Sequence, residues 1–330
     1  MFFLLGISLT LALLLIVNIA AAILAFGLWR LIVRPMTFLS ANTQAQIIFA
    51  LRFGPIVAAL IFVFAFVVPA YLLHEPENSG EVVSGKMAFL AIASAIAACT
   101  ALYRVIKTCF ATHRVAANWE GNAVEITIPD VDVPVFRIVH PFPVMAVVGI
   151  IRPRIFVAEQ VLKSLSNDEL QAAIAHEYGH LRSRDNLKRS ILRVCRDLVS
   201  MPLGGGLDRA WSESAERSAD EFAANTHRSA ALDLASALVK LARIAPPQTG
   251  LATLRGSYLI DEERGDVSTR VRRLLRLSEE YRCSQKPPFY ARPVWVWSSA
   301  LAGLLALHFA DQRLLLTTHE AIEHFVWIMQ

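Results

Sequence analysis

Long stretches without charge dominate this sequence and limit what it can fold into. Residues 2–29 form a run of 28 with no ionisable side chain, and residues 53–73 form a second run of 21. Residues 87–103 and 294–310 are two further runs, each of 17. A helix needs about 17–25 mainly apolar residues to cross a bilayer. The sequence therefore predicts a membrane protein with about four transmembrane helices, and a buried core helix is the alternative for each of the two shorter runs.

The overall composition agrees with this expectation. Hydrophobic residues make up 55% of the chain and charged residues 18%, whereas a soluble domain is about 25% charged. The mean hydropathy is +0.46, which excludes a disordered chain and disfavours a wholly soluble protein. The 4 cysteines show no paired spacing, so we expect free thiols on the reducing side of a membrane rather than a disulfide framework.

The first apolar run is expected to be a retained helix rather than a signal peptide. It has no basic segment before it, and it is longer than the apolar core of about 7–15 residues in a signal peptide. It also ends in Trp29 and Arg30 instead of the small residues of a cleavage site. We therefore interpret it as a transmembrane helix.

Charge asymmetry predicts which segments face the cytoplasm. Residues 107–292 hold 26 of the 32 Lys and Arg residues, and residues 30–52 are also basic. Residues 74–85 contain acidic side chains and no Lys or Arg. The positive-inside rule then places the N-terminus and residues 74–85 outside a bacterial inner membrane, and the basic segments inside. Residues 311–330 would form a short extracytoplasmic tail.

The insert between the third and fourth runs has an α+β pattern. Alternating apolar residues predict a strand over 124–128, and short apolar runs predict strands over 133–139 and 155–157. A capping box that starts at Ser166 predicts a helix to about Arg184. Amphipathic spacing predicts further helices over about 187–198, 207–227, 232–244 and 268–282.

One short motif in this insert carries metal chemistry. His176, Glu177 and His180 form an H-E-x-x-H pattern. Positions i and i+4 share one face of a helix, so both imidazoles can reach one ion, and Glu177 lies beside them as a base for water. A pair of surface histidines is the alternative, but the apolar residues around the motif disfavour it. We therefore predict a Zn²⁺ site.

The third metal ligand is expected downstream, because catalytic zinc needs three protein ligands and an open position. Glu216 and Asp220 are again spaced i and i+4. Glu216 can coordinate the ion while Asp220 accepts a hydrogen bond from the other nitrogen of a ligand histidine. Glu213, on roughly the same face, and Glu221, turned away, are rivals for the ligand position. A charged, solvated helix face is the alternative for the whole segment.

The spacing of these motifs resembles the gluzincin metallopeptidases. Over residues 141–224 the pattern is similar to the membrane antirepressor peptidases of β-lactam resistance, the BlaR/MecR type. The similarity is carried by residues 152–155 (Arg-Pro-Arg-Ile), 175–180 (Ala-His-Glu-Tyr-Gly-His) and 184–186 (Arg-Asp-Asn). Three spans before the insert and one after it also match that family.

The resemblance implies a fold with three parts. The chain would be an α-helical membrane protein with an inserted α+β gluzincin-like metallopeptidase domain. Residues 1–110 would hold three transmembrane helices, residues 111–292 the cytoplasmic domain, and residues 293–330 the fourth helix and the tail. The four helices are expected over about 2–29, 53–73, 87–106 and 294–310.

The resemblance also implies roles for individual residues. His176, His180 and Glu216 would be the zinc ligands, and Glu177 the general base. Asp220 would orient a ligand histidine. Asp185 fits the family pattern as well, and capping of a helix end is the role we expect for it.

The C-terminus departs from that family. The β-lactam receptors carry a large extracellular penicillin-binding domain after their last span. This sequence stops 20 residues after Ala310, without an S-x-x-K, S-D-N or K-T-G set. A β-lactam receptor function is therefore not expected. Only the part of those receptors that cleaves protein and transmits the signal is expected to have a counterpart here.

The expected function is a signal-transducing zinc metalloendopeptidase that cleaves a cytoplasmic protein, such as a DNA-binding repressor. The stimulus would enter through the spans in the lipid bilayer or from a separate sensor subunit. An extended substrate is expected to add to strand 155–157 as the sheet edge. A quality-control or processing protease of the HtpX/Ste24 type is one alternative, and a non-catalytic membrane transducer is another. Direct nucleic-acid binding by the basic run at 182–196 is not expected, because a solvated face near anionic lipid explains it better.

Overall fold

The computed structural model describes most of the chain. The described residues are 2–75, 83–121, 123–128, 134–150, 152–198, 204–244, 267–279 and 312–329. The predicted fourth span at 294–310 lies outside them, as does most of the predicted outer loop at 74–85.

Three long apolar helices form the first part of the fold. They are α1 (Phe2–Ile32), α2 (Ala41–Phe62), which continues through a π-helical turn at Val63–Val67 into α3 (Val68–His74), and α4 (Gly85–Glu120). Among the described residues, these three stretches are long and apolar enough to cross a membrane. Each extends beyond the apolar run that predicted it, because helical hydrogen bonding does not stop where the apolar residues stop.

A four-stranded sheet follows the long helices. Its strands are β1 (Val124–Ile126), β2 (Val135–Ile138), β3 (Met145–Val148) and β4 (Arg154–Ala158), in the order β1-β2-β4-β3. Strands β2 and β4 are parallel, and the other two pairs are antiparallel. The sequence did not predict β3, which lies between proline-rich turns.

The expectation that 155–157 forms the sheet edge is wrong. Strand β4 pairs with β2 on one side and with β3 on the other. Four consecutive residues of β4, from Ile155 to Ala158, are fully buried. Such a continuous apolar run is typical of a strand covered on both faces. The described sheet has β1 and β3 at its edges.

Seven further helices complete the described fold. They are α5 (Glu159–Ser164), α6 (Asn167–Ser183), α7 (Asp185–Leu198), α8 (Gly205–Ala224), α9 (Ala230–Ile244), α10 (Val267–Glu279) and α11 (Gln312–Met329). Helix α6 packs against the sheet on one side and against α8 and α9 on the other. It is therefore the central helix of the α+β part.

The capping box at the start of α6 is confirmed. The Ser166 hydroxyl accepts from the Glu169 amide at 3.3 Å, and the Ser166 amide donates to Glu169 Oε2 at 2.8 Å. Ser236 and Lys240 on α9 also donate to Glu169, at 2.6 and 2.7 Å. Burial raises the pKa of Glu169, but these donors together hold it at about 2. The cap therefore also joins α6 to α9.

Helix α2 runs antiparallel along α8. The Arg52 side chain bonds Asp208 at 3.1 Å near one end of the contact. At the other end, the Ala41 amide at the start of α2 donates to Glu221 Oε2 at 3.4 Å. The carboxylate of Glu221 thus lies at the positive end of the α2 dipole. A candidate membrane helix therefore packs directly on a helix of the α+β part.

Helix α4 also enters the α+β part. Its last turns place Val115, Ala116 and Trp119 against the core of the sheet. The Trp119 ring lies edge-on to Phe156 of β4, with the ring centroids 5.3 Å apart. The sheet therefore packs on the C-terminal end of the third long helix.

Helix α11 contacts the start of α1, the end of the α2–α3 stretch and the start of α4. Leu315, Ile322 and Val326 pack into a cluster with Leu5 and Leu9 of α1. Residues of the π-helical turn, of α3 and of the start of α4 belong to the same cluster. The other end of α1 packs against α8, so the α+β part and α11 lie at opposite ends of α1.

We predict that Gly149→Ala destabilises the protein. Gly149, just after β3, has a φ of +112°, and a Cβ there would lie 2.7 Å from the Arg152 carbonyl oxygen. Strain of this kind costs about 1–3 kcal/mol, so the thermal unfolding midpoint of the detergent-purified protein should fall by several degrees. Gly121→Ala is the matched control, because its Cβ would be 3.8 Å from the nearest atom. Equal midpoints for the two variants would contradict the prediction.

Candidate metal centre

Two histidines and one glutamate converge between α6 and α8. His176 Nε2 lies 3.6 Å from Glu216 Oε2, and His180 Nε2 lies 3.4 Å from Glu216 Oε1. The two histidine Nε2 atoms are 3.2 Å apart. One ligand atom from each residue lies within 4.8 Å of the other two. The structure thus brings together the three residues that the resemblance implies as ligands.

A close helix crossing makes this convergence possible. A Cβ on Gly179 of α6 would lie 3.2 Å from Ala219 Cα and 3.3 Å from the Phe222 ring on α8. With a larger residue at this crossing, α8 would have to move away. Gly179 and Ala219 let the two backbones approach closely, so the Glu216 side chain reaches both imidazoles.

Carboxylates hold the far side of each imidazole. His176 Nδ1 lies 3.0 Å from Asp220 Oδ1, and Asp220 is almost fully buried. His180 Nδ1 lies 2.8 Å from Asp185 Oδ2. A proton on Nδ1 that is donated to a carboxylate leaves the Nε2 lone pair for a metal. Both rings are therefore oriented with Nε2 towards Glu216.

Asp185 has a contact that the sequence did not predict. Helix α6 ends at Arg184, whose left-handed φ of 53° turns the chain sharply, and α7 begins at the next residue. This turn brings Asp185 back to His180, five positions earlier in the sequence. The sequence analysis expected Asp185 to cap a helix end; the structure in addition places its carboxylate against His180.

The charged groups around the candidate centre shift one another's pKa values. Burial lowers the pKa of His180, but the Glu216 charge and the Asp185 hydrogen bond outweigh it and raise that pKa to about 10. Burial likewise raises the pKa of Glu216, while the nearby His180 and Arg270 bring it well below the usual value. The positive charges of His180 and Arg270 therefore favour the anionic form of Glu216.

Arg270 is a member of the site that the sequence analysis missed. Its Nη2 lies 2.6 Å from Asp220 Oδ1 and its Nε lies 3.1 Å from Asp220 Oδ2. Its Nη1 lies 3.2 Å from Glu216 Oε2. Arg270 is on α10, 50 positions after Asp220, in a helix with several arginines. No spacing rule singles it out, because only the packing of α10 on α8 brings it here.

The remaining candidates lie around this cluster. Glu177 is half-buried beside His176, and its charge acts on Arg270. Glu213 is exposed, and Glu221 is paired with Arg273. Among the rivals for the third ligand, the structure therefore brings only Glu216 to both histidines.

Asn186 connects the site to the sheet. Its side-chain amide donates to the Val147 and Gly149 carbonyl oxygens at 3.0 and 3.1 Å. These bonds attach the start of α7 to the edge strand β3 and the turn after it. Asp185 therefore positions His180, and the next residue, Asn186, holds strand β3.

We predict that Glu216→Ala removes most of the metal affinity and that Glu213→Ala does not. Both residues are on α8, but only Glu216 reaches the histidines. The loss of affinity should exceed the roughly 10–100-fold that follows removal of a hydrogen-bond partner of a ligand, because Glu216→Ala removes a ligand itself. Zinc titration of the detergent-purified variants against a chromophoric chelator measures it. The reverse order of affinities would show that the third ligand is misassigned.

The comparison with known families gives an independent result. Residues 111–203 match the model of peptidase family M48. The match includes His176, Glu177 and His180 and ends before Glu216. No curated protein matches the chain. Over residues 111–203 the chain is therefore similar to metallopeptidases of family M48, and three of its described helices are long and apolar enough to cross a membrane.

Proposed function

We propose that this protein is a zinc metalloendopeptidase of the bacterial inner membrane that cleaves a cytoplasmic protein. The convergence of His176, His180 and Glu216, with Glu177 on the same helix as the histidines, carries the proposal. The family match over residues 111–203 supports the peptidase chemistry.

The donor set fits catalytic zinc. Two imidazole nitrogens and one carboxylate are a known ligand set for catalytic zinc, and they leave a fourth position open. Bound zinc would polarise the scissile carbonyl and lower the pKa of a water to about 7. Asp220 and Asp185 would keep the Nδ1 protons on the two histidines. Glu177 would take a proton from the attacking water and pass it to the leaving amine.

The substrate is proposed to bind along β3. This strand lies at an edge of the described sheet and packs against α6, which carries the histidines. An extended peptide that adds to a sheet edge gains backbone hydrogen bonds and is held straight for cleavage. The two hydrogen bonds from Asn186 would hold the edge strand in place relative to the histidines.

The proposed sidedness places the metal centre in the cytoplasm and the C-terminus outside. The charge pattern supports it, and so does the packing of α11 at the end of α1 remote from the α+β part. We predict that alkaline phosphatase fused after Gln330 is active and that a fusion near Gly250 is inactive. A reporter active only in the cytoplasm, such as green fluorescent protein, should give the opposite pattern. A cytoplasmic C-terminus would contradict the proposed topology.

The target is proposed to be a DNA-binding repressor, with the protein acting as a signal transducer. The resemblance to the antirepressor peptidases supports this role. The packing of α2 along α8 supports it too, since a candidate membrane helix then contacts the helix that carries Glu216. The stimulus would act on the spans, on the short outer segments or through a separate sensor subunit.

We predict that Glu177→Gln abolishes proteolysis while the metal stays bound. A general base contributes about 10²–10⁴-fold to rate, and the amide cannot take the proton although it keeps the shape of the carboxylate. The measurement compares cytoplasmic protein fragments and transcripts in cells that express wild type or variant. Glu213→Gln is the matched control, because that side chain is exposed, and it should behave as wild type.

The outcomes of this comparison separate the candidate functions. A repressor cleaved only with wild type, together with changed transcripts, supports signalling. Many damaged membrane or cytoplasmic proteins cleaved without a specific transcript response would indicate quality control instead. Transcripts that respond equally to wild type and Glu177→Gln, with no cleavage in either, would indicate a non-catalytic transducer.

A further inference from the structure

A second group of metal-ligating side chains lies where α11 meets the end of α3. Glu75 follows the last residue of α3, and His319 and Glu323 are one turn apart on α11. One ligand atom from each of the three lies within 4.8 Å of the other two. This group uses none of the residues of the metal centre between α6 and α8.

Apolar packing sets the position of this group. Leu315, Ile322 and Val326 of α11 are buried against α1, α3 and the π-helical turn. His319 lies on the same face of α11, because positions 315, 319, 322 and 326 follow the i, i+4, i+7, i+11 spacing of one helix face. The meeting of His319 with Glu75 therefore depends on the contact between helices, not on a flexible surface loop.

Within the described part of the chain, two polar groups at this contact have no hydrogen-bonding side chain beside them. Glu75 is 8% exposed, and among the described residues no side chain donates a hydrogen bond to its carboxylate. His319 Nδ1 is buried with no hydrogen-bond partner in the described part of the chain. Burying such groups unpaired is costly. A cation held at this contact would give the Glu75 carboxylate a partner, and His319 would offer the cation one ring nitrogen.

The chemistry of the donors selects the class of cation. Two ligands about 2.1 Å from one ion lie at most about 4.2 Å apart. His319 Nε2 and Glu323 Oε1 are 3.8 Å apart, which is already within this limit. The ligand atoms of all three residues lie within 4.8 Å of one another, so a small side-chain rotation would bring the remaining pairs within the limit. Imidazole with carboxylates suits zinc and neighbouring transition metals, whereas calcium and magnesium prefer oxygen ligands alone. The His74 ring, 5.7 Å from that of His319, is a nearby further imidazole.

We infer that Glu75, His319 and Glu323 form a second binding site for a divalent transition metal such as Zn²⁺. The site joins helix α11 to the end of α3, at the end of the long helices remote from the H-E-x-x-H centre. It is independent of the proposed peptidase chemistry.

The test counts zinc in the full-length protein purified in detergent. Each preparation is stripped with a chelator, equilibrated with Zn²⁺, freed of excess metal and analysed by elemental analysis. We expect about two zinc ions per chain in the wild type, one per site. His319→Ala and Glu323→Gln should each lose about one, His180→Ala should lose the other, and His180→Ala combined with His319→Ala should retain almost none.

Matched variants on the same helix serve as controls. His324→Ala and Glu320→Gln change exposed residues of α11 and should keep the wild-type zinc content. Circular dichroism and size-exclusion chromatography show whether each variant is folded. The charge-only change in Glu323→Gln keeps the test valid if His319→Ala fails to fold.

The result also separates this inference from the proposed function. A wild type with about one zinc that is lost in His180→Ala and kept in His319→Ala overturns the second site and leaves the peptidase centre intact. A single zinc lost in His319→Ala and kept in His180→Ala supports the second site and contradicts the proposed catalytic zinc. Unchanged zinc content in both His319→Ala and Glu323→Gln overturns the inference.

Discussion

The close crossing of α6 and α8 is the contact on which the candidate metal centre depends. At Gly179 and Ala219 the two backbones approach so closely that a Cβ on the glycine would be 3.2 Å from Ala219 Cα. Helix α6 supplies both histidines and α8 supplies the carboxylate between them, so neither helix forms the centre alone. Because a misplacement of about 1 Å can cost on the order of 10²-fold in rate, the closeness of this crossing is important for the proposed chemistry.

Helix α8 is held from two further directions. On one face α2 contacts it through Arg52 with Asp208 and through the Ala41 amide with Glu221. On another, α10 places Arg270 across Asp220 and Glu216. Through the contacts with α2, helix α8 joins an apolar helix to the candidate metal centre. A movement of α2 would therefore reach Glu216 through α8 without first passing through α6.

Much of the local structure could be predicted because its causes are local. The capping box at Ser166, the apolar helices and the i, i+4 spacing of His176 and His180 each depend on neighbouring residues. The wrong prediction of the sheet edge has the opposite cause. The position of β4 between β2 and β3 depends on strand pairing, and β3 is a short apolar run that the sequence analysis did not single out.

The sequence by itself determined which chemical groups are present and which helix faces they share. That was enough to predict the three long helices that the structure describes and the shared helix face of His176 and His180. Only the tertiary structure decided the partners across helices: Asp185 on His180, Arg270 on Asp220, and His319 beside Glu75. The physical reason is range. Helix periodicity and capping act over a few residues, whereas these contacts join positions whose approach is set by packing of the whole chain.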